Sequence, residues 1–584
     1  MHDHLVAMAE DQRVTQRNIV APRGSILFSD GSILAASQPS FITFIQPKLI
    51  EQQILSKNKV ETSLMMGSSD QLNISAVNTV KESYAKKLAE FFWNEDQKVR
   101  VTTDSAHLAP EIREKEITKL EKDFQNKLSK NLFWISLGRK VDLEQKNSLD
   151  KMGFIGMGFD NTASRFYPEG SSSAHILGFV GSNSNGQDLG YGGLEGFYNG
   201  ELKGRDGLLT LEKDALGLPI LIGKFLSKDA REGKTLVLNI DRTIQHIAEE
   251  KLRKGMEKYG AAGASAIVLE PNTGKILAMA SLPAFDPGNP TQYAKESYKN
   301  PITADSYEPG STFKVLVMAA GINEKLVEPD TKCDLCTGPL SIAGFSIRTW
   351  NNKYSDDTDM TSTIIHSDNT GMVFVGRKLG VDKLYDYIKK FGFGSTTGID
   401  LQDESSPPLR EKEEWKEIDL ATASFGQGIS VTPLQLVTAI AAIANGGKVY
   451  RPQIVSEIRD NKETFKIKPN LVESPISEEA AAKVKDMMVR AVDEGESKFA
   501  KPKGYKIAGK TGTAQIAVAG HYDPNQTVAS FVGFAPADNP KFVMLVRYDR
   551  PTSSIYGAET AAPTFFEIAK EMFIYYGIPP TESQ

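Results

Sequence analysis

Tyr307-Glu-Pro-Gly-Ser-Thr-Phe-Lys-Val-Leu316 is the stretch on which the reading of this chain turns. Pro309 and Gly310 break whatever precedes them, and the apolar run Phe313, Val315, Leu316, Val317, Met318 predicts the opening turns of a buried helix. Ser311 then stands at a helix N-terminus, and Lys314, three residues on, shares its helical face. A serine hydroxyl is a poor nucleophile until a base takes its proton, and a neutral lysine amine is such a base if its pKa is lowered. The stretch offers a nucleophile and its activator on one turn.

The spacing alone says little. Ser56 to Lys59, Ser83 to Lys86 and Ser148 to Lys151 repeat it in charged stretches that read as solvated faces. Ser311 differs because Ser367-Asp368-Asn369 and Lys510-Thr511-Gly512-Thr513 follow it in order. Ser-x-Asn recurs at Ser56 and Ser129, so Ser367 alone reads as a helix cap. Glu308 alone reads as a surface carboxylate, and His366 as a packing histidine. Three motifs in one order within one apparent domain point instead to serine acyl transfer, the combination found in class A β-lactamases and penicillin-binding proteins.

In that chemistry Lys510 supplies positive charge, and Thr511 and Thr513, flanking Gly512, supply hydroxyls for a substrate carboxylate. The Lys510 charge also disfavours protonation of a nearby Lys314. Ser367 can relay a proton to the leaving amine, and Asn369 offers an acceptor and donors to the substrate's amide backbone. Backbone N–H groups of Ser311 and Thr513 are the expected oxyanion donors. A rival motif, Gly504 with Gly509-Lys510-Thr511, matches the phosphate-binding P-loop, but that loop needs a buried strand before it and a helix after it. Ser497 to Lys503 is too polar for the first, and Thr513 to Gly520 reads as strand or loop.

A chain of 584 residues predicts two or more domains. The net charge of −6 argues against a nucleic-acid surface. No run of eighteen apolar residues occurs, and Met1 to Val20 is too polar for a signal peptide. The two cysteines, Cys333 and Cys336, exclude a disulfide framework and read as a structural thiol pair or a local disulfide. The chemistry calls for no metal and no cofactor.

Asn18 to Ser37 alternates around the turn Asp30-Gly31 and predicts a hairpin. Residues 47–132 are charged and periodic near Val80 to Phe92 and Ile112 to Leu128, predicting a solvated helical insertion near 50–130. Phe133 to Leu137 reads as a strand and Asp142 to Met152 as a helix stopped by Gly153. A glycine-rich region from Arg165 to Gly207 predicts closely packed turns. Polar residues 228–234 mark a boundary, giving domains 1–227 and 228–584. Beyond it, Thr235 to Ile240 reads as a strand and Arg242 to Tyr259 as an amphipathic helix. Hairpins are expected at Ala264 to Ser281 and Val528 to Tyr548. Helices are expected at Phe313 to Ile322, Thr363 to Leu379, Pro433 to Ala444, Glu478 to Val492 and Pro563 to Tyr575. The fold class is α+β, an antiparallel sheet covered by helices.

These residues resemble the class B penicillin-binding proteins. Tyr307 to Lys314, Ser367 to Asn369 and Lys510 to Gln515 look like the family's three motifs. Asn272 to Ala278, Ser424-Phe-Gly-Gln-Gly-Ile429, Thr432 to Gln435 and Ala561-Ala-Pro563 are similar to its transpeptidase domain. Arg23-Gly24, Arg165 to Gly178 and Gly193-Leu-Glu195 are similar to the non-catalytic, dimerisation-type pedestal that precedes it. Phe28 and Ser29 depart from the family's aspartate and basic residue, which puts the pedestal's polar network in question. The Phe425 to Gly428 stretch and short C-terminus favour the division-type branch.

The resemblance implies a penicillin-binding transpeptidase domain behind an elongated mixed α/β pedestal. It implies a D,D-transpeptidase that cross-links peptidoglycan stem peptides ending in D-Ala-D-Ala and is acylated by β-lactams. It also implies a membrane glycosyltransferase and other wall-synthesis proteins as partners. The implied location is the outer face of the bacterial cytoplasmic membrane. A membrane anchor is expected just ahead of Arg23, and this chain starts about where that helix should end. The alternatives are a serine β-lactamase or D,D-carboxypeptidase, and a non-catalytic β-lactam-binding sensor or scaffold.

Overall fold

The computed structural model describes residues 14–62, 70–100, 110–183, 187–212, 225–518 and 521–580. The chain forms two compact units, each assembled from separate stretches. Met1–Pro22, Ser37–Arg165 and Arg205–Arg231 make the first; Arg23–Ala36, Phe166–Gly204 and Glu232–Gln584 make the second. No helix among the described residues is long and apolar enough to cross a membrane.

In the first unit, helices Pro47–Thr62, Asp70–Arg100 and Pro110–Leu128 occupy the region read as a helical insertion. They are not merely solvated. Ile50, Leu88, Phe92 and Phe124 are buried with Ile45, Leu137 and Val141 of neighbouring strands. Helix Leu143–Lys151 starts with a capping box, in which Asp142 accepts from Gln145 N and Gln145 accepts from Asp142 N. Val14–Ile19 does not join the hairpin expected around Asp30. It pairs with Gly207–Glu212.

In the second unit, Ile26–Leu27 turns back through Asp30-Gly31 to pair with Ile33 and Ala35, and lies parallel to Thr235–Leu238. Phe28, where the family carries an aspartate, is buried in the core. The polar network forms without it. Arg23 Nε meets Glu195 Oε2 at 2.5 Å, and Arg23 Nη1 donates to Asn199 Oδ1 at 2.9 Å.

The central sheet comprises β1 (Gly263–Leu269), β2 (Ile276–Leu282), β3 (Ala508–Val518), β4 (His521–Ala535) and β5 (Phe542–Asp549), in the spatial order β2-β1-β5-β4-β3. Every neighbouring pair is antiparallel. Both expected hairpins form. The pleat alternates side chains between faces: Phe542, Met544, Val546 and Tyr548 enter one core cluster, Val543 and Leu545 the other.

Helix α1 (Arg242–Tyr259) packs on the first face with α7 (Ala561–Tyr575). Asp241 caps α1 by accepting from Thr243 N and Ile244 N, and Gly260 ends it at φ 59°. The other face carries α2 (Lys314–Asn323), α3 (Met360–Ile365), α4 (Asn369–Lys390), α5 (Pro433–Ala444) and α6 (Glu478–Glu494). Helix α5 opens with Thr432, Pro433 and Gln435 in a capping box, as those residue types require. Cys333 and Cys336 form a disulfide between buried sulfurs.

One expectation needs correction and another is refined. The helix read through Thr363 to Leu379 is two helices, broken at His366 to Asp368, because the Asp368 side chain caps α4 by accepting from Thr370 N and Gly371 N. The stretch Thr513 to Gly520, read as strand or loop, is strand as far as Val518: Lys510 to Thr513 lies inside β3, whose first residue is Ala508, and a strand in place of the helix a P-loop needs excludes that geometry.

Candidate active site

Ser311 lies in a single 3-10 turn, Gly310–Phe313, that leads directly into α2. Gly310 takes φ 55°, and its N–H donates to Gly426 O at 3.0 Å. Gly426, at φ 79°, has no room for a side chain, since an added Cβ would lie 2.2 Å from Gly310 O. The Phe425 to Gly428 loop is thereby pressed against the nucleophile turn. Tyr307 and Val431 exchange backbone hydrogen bonds just upstream. The side chain of Ser311 is half-buried and lines a cleft of about 610 Å³.

Lys314 is fully buried beneath it. Its Nζ donates to Ser367 O at 2.6 Å and to Asn369 Oδ1 at 2.7 Å, and Ser367 Oγ stands 3.2 Å from the same nitrogen. Burial, and then the charge of Lys510, hold this amine well below the usual lysine range. A neutral amine has two N–H groups and one lone pair. The carbonyl and the amide oxygen can only accept, so they take the two N–H groups and leave the lone pair to face a hydroxyl. The sequence reading named the Lys510 charge as the cause of the lowered pKa, but burial is the larger one.

Ser367 adopts φ 56°, a left-handed conformation that costs a non-glycine residue of order 1 kcal/mol. The break between α3 and α4 holds it there and turns both its carbonyl and its hydroxyl to Lys314. Asn369 is fixed at its other end, donating from Nδ2 to Arg348 O at 2.8 Å. Asn369 thus serves the lysine first.

Lys510, Thr511, Gly512 and Thr513 lie on β3, an edge strand. Alternation puts Thr511, Thr513 and Gln515 on the face that lines the cleft. The backbone at Lys510 and Gly512 presents the opposite face, where an added Cβ on Gly512 would meet Thr312 Cγ2 at 2.8 Å, while the Lys510 side chain brings its Nζ to 3.3 Å from Thr511 Oγ1. Only glycine lets the nucleophile turn approach the strand so closely. Lys510 is buried, and its pKa is pushed down to about 8 by that burial, with Glu496 opposing. Thr513 Oγ1 accepts from Gly557 N at 3.1 Å, which leaves its O–H to donate.

All eight sequence-chosen residues therefore converge, from the Ser311 turn, the α3–α4 break and β3. Local sequence gave no hint of other parts of the wall, among them Trp350, Glu496, Phe499, Tyr556 and Glu559. Glu308 is not a free surface carboxylate. It accepts from Gly428 N at 3.0 Å and from Tyr522 OH, and burial raises its pKa. His366 is exposed rather than packed, and its carbonyl accepts from Trp350 Nε1 at 3.1 Å.

A half-buried serine over a buried, depressed lysine, with a second serine and an edge-strand lysine alongside, defines a serine acyl-transfer site of the penicillin-recognising kind. The comparisons with known proteins agree. The penicillin binding protein transpeptidase domain family matches residues 264–570, and the penicillin-binding protein dimerisation domain matches residues 18–238. The chain belongs to the penicillin-binding protein transpeptidase family, as a class B member.

Among relatives, stage V sporulation protein D of Bacillus subtilis is 35% identical over 76% of this chain and 69% of its own. The peptidoglycan D,D-transpeptidase FtsI of Escherichia coli is 31% identical over 74% of this chain and 71% of its own. Among solved structures, a peptidoglycan synthetase from Bifidobacterium adolescentis superposes with a TM-score of 0.71 at 25% identity, covering 98% of both chains. Penicillin binding protein 2X from Streptococcus thermophilus gives 0.70 at 25% identity, covering 97% of this chain and 81% of that one.

Proposed function

We propose that this chain is a serine D,D-transpeptidase that cross-links peptidoglycan stem peptides in septal wall synthesis and is acylated by β-lactams. The observation that carries this reading is the Lys314 amine, buried and committed through both N–H groups to Ser367 O and Asn369 Oδ1. Its lone pair is left free to accept a proton from a hydroxyl, and in the proposed reaction that hydroxyl is the one on Ser311, three residues earlier in the chain. Similarity to FtsI and to the sporulation protein supports the septal assignment.

In the proposed reaction the C-terminal carboxylate of the donor peptide lies against Lys510, Thr511 and Thr513. Lys314 takes the proton of Ser311, and Oγ attacks the carbonyl of the penultimate D-alanine. Backbone N–H groups of Ser311 and Thr513 hold the oxyanion. As the C–N bond breaks, the proton passes from Lys314 through Ser367 Oγ to the leaving nitrogen, and D-alanine departs. An acceptor amine from a second stem peptide then attacks the ester, gives its proton to Lys314, and Ser311 recovers it. Residues 1–227 act as a non-catalytic pedestal that docks a membrane glycosyltransferase and other wall-synthesis proteins. The work is done at the outer face of the cytoplasmic membrane.

A chromogenic cephalosporin tests this against the hydrolase alternative. The expected outcome is a burst of about one equivalent followed by very slow release, because an acyltransferase does not activate water efficiently. Rapid sustained turnover assigns a β-lactamase instead, and failure to acylate at all assigns a sensor or scaffold.

A further inference from the structure

Away from the cleft, a second cavity of about 170 Å³ lies between α1, the outer edge of β2 and the turn Ser171 to His175, all within the second unit. It shares no lining residue with the cleft around Ser311. A water molecule takes about 30 Å³ in the liquid, so the space suits a ligand of about five or six non-hydrogen atoms.

Strand β2 is an edge strand, with only β1 beside it. Part of its open edge is covered by α1: Gln245 Nε2 donates to Met279 O at 3.0 Å, and Gln245 Oε1 accepts from Met279 N at 2.8 Å. Leu277 O, two residues earlier, likewise accepts from Asp241 N. Along an antiparallel strand, residues two apart turn their N–H and C=O the same way. Ser281 therefore presents one donor and one acceptor to the same edge, at a cavity that both it and Met279 line. Among the described residues no side chain bonds them.

The side chains around that edge carry both charges. Glu249 Oε1 accepts from Ser173 N at 2.9 Å and from Gln245 Nε2 at 2.8 Å, which leaves Oε2 without a hydrogen bond among the described residues. Arg253, one turn further along α1, is exposed, and the ion pair that this spacing favours is not made. His175 adds no charge, since burial pushes its imidazole down to about 4. The hydroxyls of Ser173 and Ser281, both lining residues, are buried and have no hydrogen-bond partner. Buried polar atoms are almost always paired, so two unpaired hydroxyls at one cavity mark a place where a polar ligand completes the bonding. Ala174, Ala280 and Ala284 complete the lining and suit a short apolar side chain.

We propose that this cavity binds a small free α-amino acid, whose carboxylate is met by Arg253 and Ser281 N–H and whose ammonium is met by Glu249 Oε2 and Ser281 O. A carboxylate alone leaves Glu249 and the carbonyl unmet, and an ammonium alone leaves Arg253 and the N–H unmet. A ligand with both charges on adjoining carbons answers all four. The proposed transpeptidation releases one such molecule, D-alanine, and its choice as first probe rests on that reading. The site itself does not.

Equilibrium dialysis of labelled D-alanine against the full chain tests this at about pH 7, where the amino acid is zwitterionic. The chain is first acylated with benzylpenicillin, so that the cleft is filled. One equivalent is expected to bind with a Kd of about 1 mM, within reach of so small a ligand. Propionate, which lacks the ammonium, and ethylamine, which lacks the carboxylate, should compete about tenfold less well or worse. Arg253→Gln and Glu249→Gln should each weaken D-alanine about tenfold, while the new glutamine at 249 keeps the acceptor that Ser173 N and Gln245 Nε2 use. Absence of saturable binding of D-alanine, L-alanine and glycine up to about 10 mM overturns the proposal. So does competition by propionate or ethylamine equal to that of D-alanine, or binding unchanged in both variants. If benzylpenicillin fails to acylate the chain, the transpeptidase reading fails, and the two variants still decide whether the amino acid sits here.

Discussion

Lys314 Nζ lies 2.7 Å from Asn369 Oδ1, joining residues 55 apart in the chain. One sits in the first turn of α2, the other in the first turn of α4. The base is thus positioned by a different helix from the one that carries it. Losing either partner should disturb the other.

Ser311→Ala is expected to abolish covalent labelling by a fluorescent penicillin while changing unfolding stability by less than about 0.5 kcal/mol, since the side chain is half-buried and fills no core position. Mass mapping of the adduct checks it. An adduct on Ser367 would contradict the assignment.

The two lysines should fail differently. Lys314→Ala removes the base and should slow acylation about a hundredfold or more even at saturating β-lactam, whereas Lys510→Ala should also weaken binding. The pH profile carries the same distinction. Lys314 must be neutral, so acylation rises as pH climbs through its lowered pKa. Lys510 must be charged, so efficiency falls as pH rises past about 8. Lys510→Arg keeps its charge throughout and should remove the falling limb.

Asp368→Ala should cost about 1 kcal/mol by uncapping α4 and should slow acylation as well, because the same cap fixes the left-handed Ser367. Asp368→Asn keeps an acceptor oxygen and should recover most of both. Equal defects in the two variants would mean that the charge matters rather than the cap.

Arg23→Ala should destabilise the chain by about 3 kcal/mol, because it removes the guanidinium that pairs with the fully buried Glu195 carboxylate. Replacing both residues with apolar ones of similar size should restore much of the loss. Denaturant unfolding of the single and double variants measures it.

A chain starting at Lys228 should be less stable than the whole protein. It loses Ile26–Leu27 from beside Thr235–Leu238, and it loses Phe166–Gly204, which belongs to the same compact unit as residues 232–584. Acylation per folded molecule should survive, since the residues lining the cleft begin at Gly310. A folded fragment that resists acylation would give the N-terminal part a place in the chemistry.

Whatever depends on neighbours in the chain was legible in the sequence. Ser311 and Lys314 are three residues apart on one turn, Asp241 and Gly260 mark the limits of α1, and Thr432 to Gln435 spells a capping box. Hydrophobic periodicity placed α5 and both hairpins of the central sheet because burying one face demands that period. The order of the three motifs identified the chemistry, although no local rule brings Ser367 or Lys510 to Ser311.

Tertiary structure decided the rest. The left-handed Ser367 defeated the periodicity reading, because a side-chain cap outweighed the apolar pattern running through it. Burial, which depresses both lysines, is a property of the packed core and is invisible in a charged letter. The cleft wall draws Trp350, Glu496, Phe499 and Tyr556 from loops distant in sequence, brought together only when helices and an edge strand pack around a shared turn. Loops carry no repeating pattern because no buried face imposes one, so their convergence on Ser311 is fixed by the scaffold beneath them.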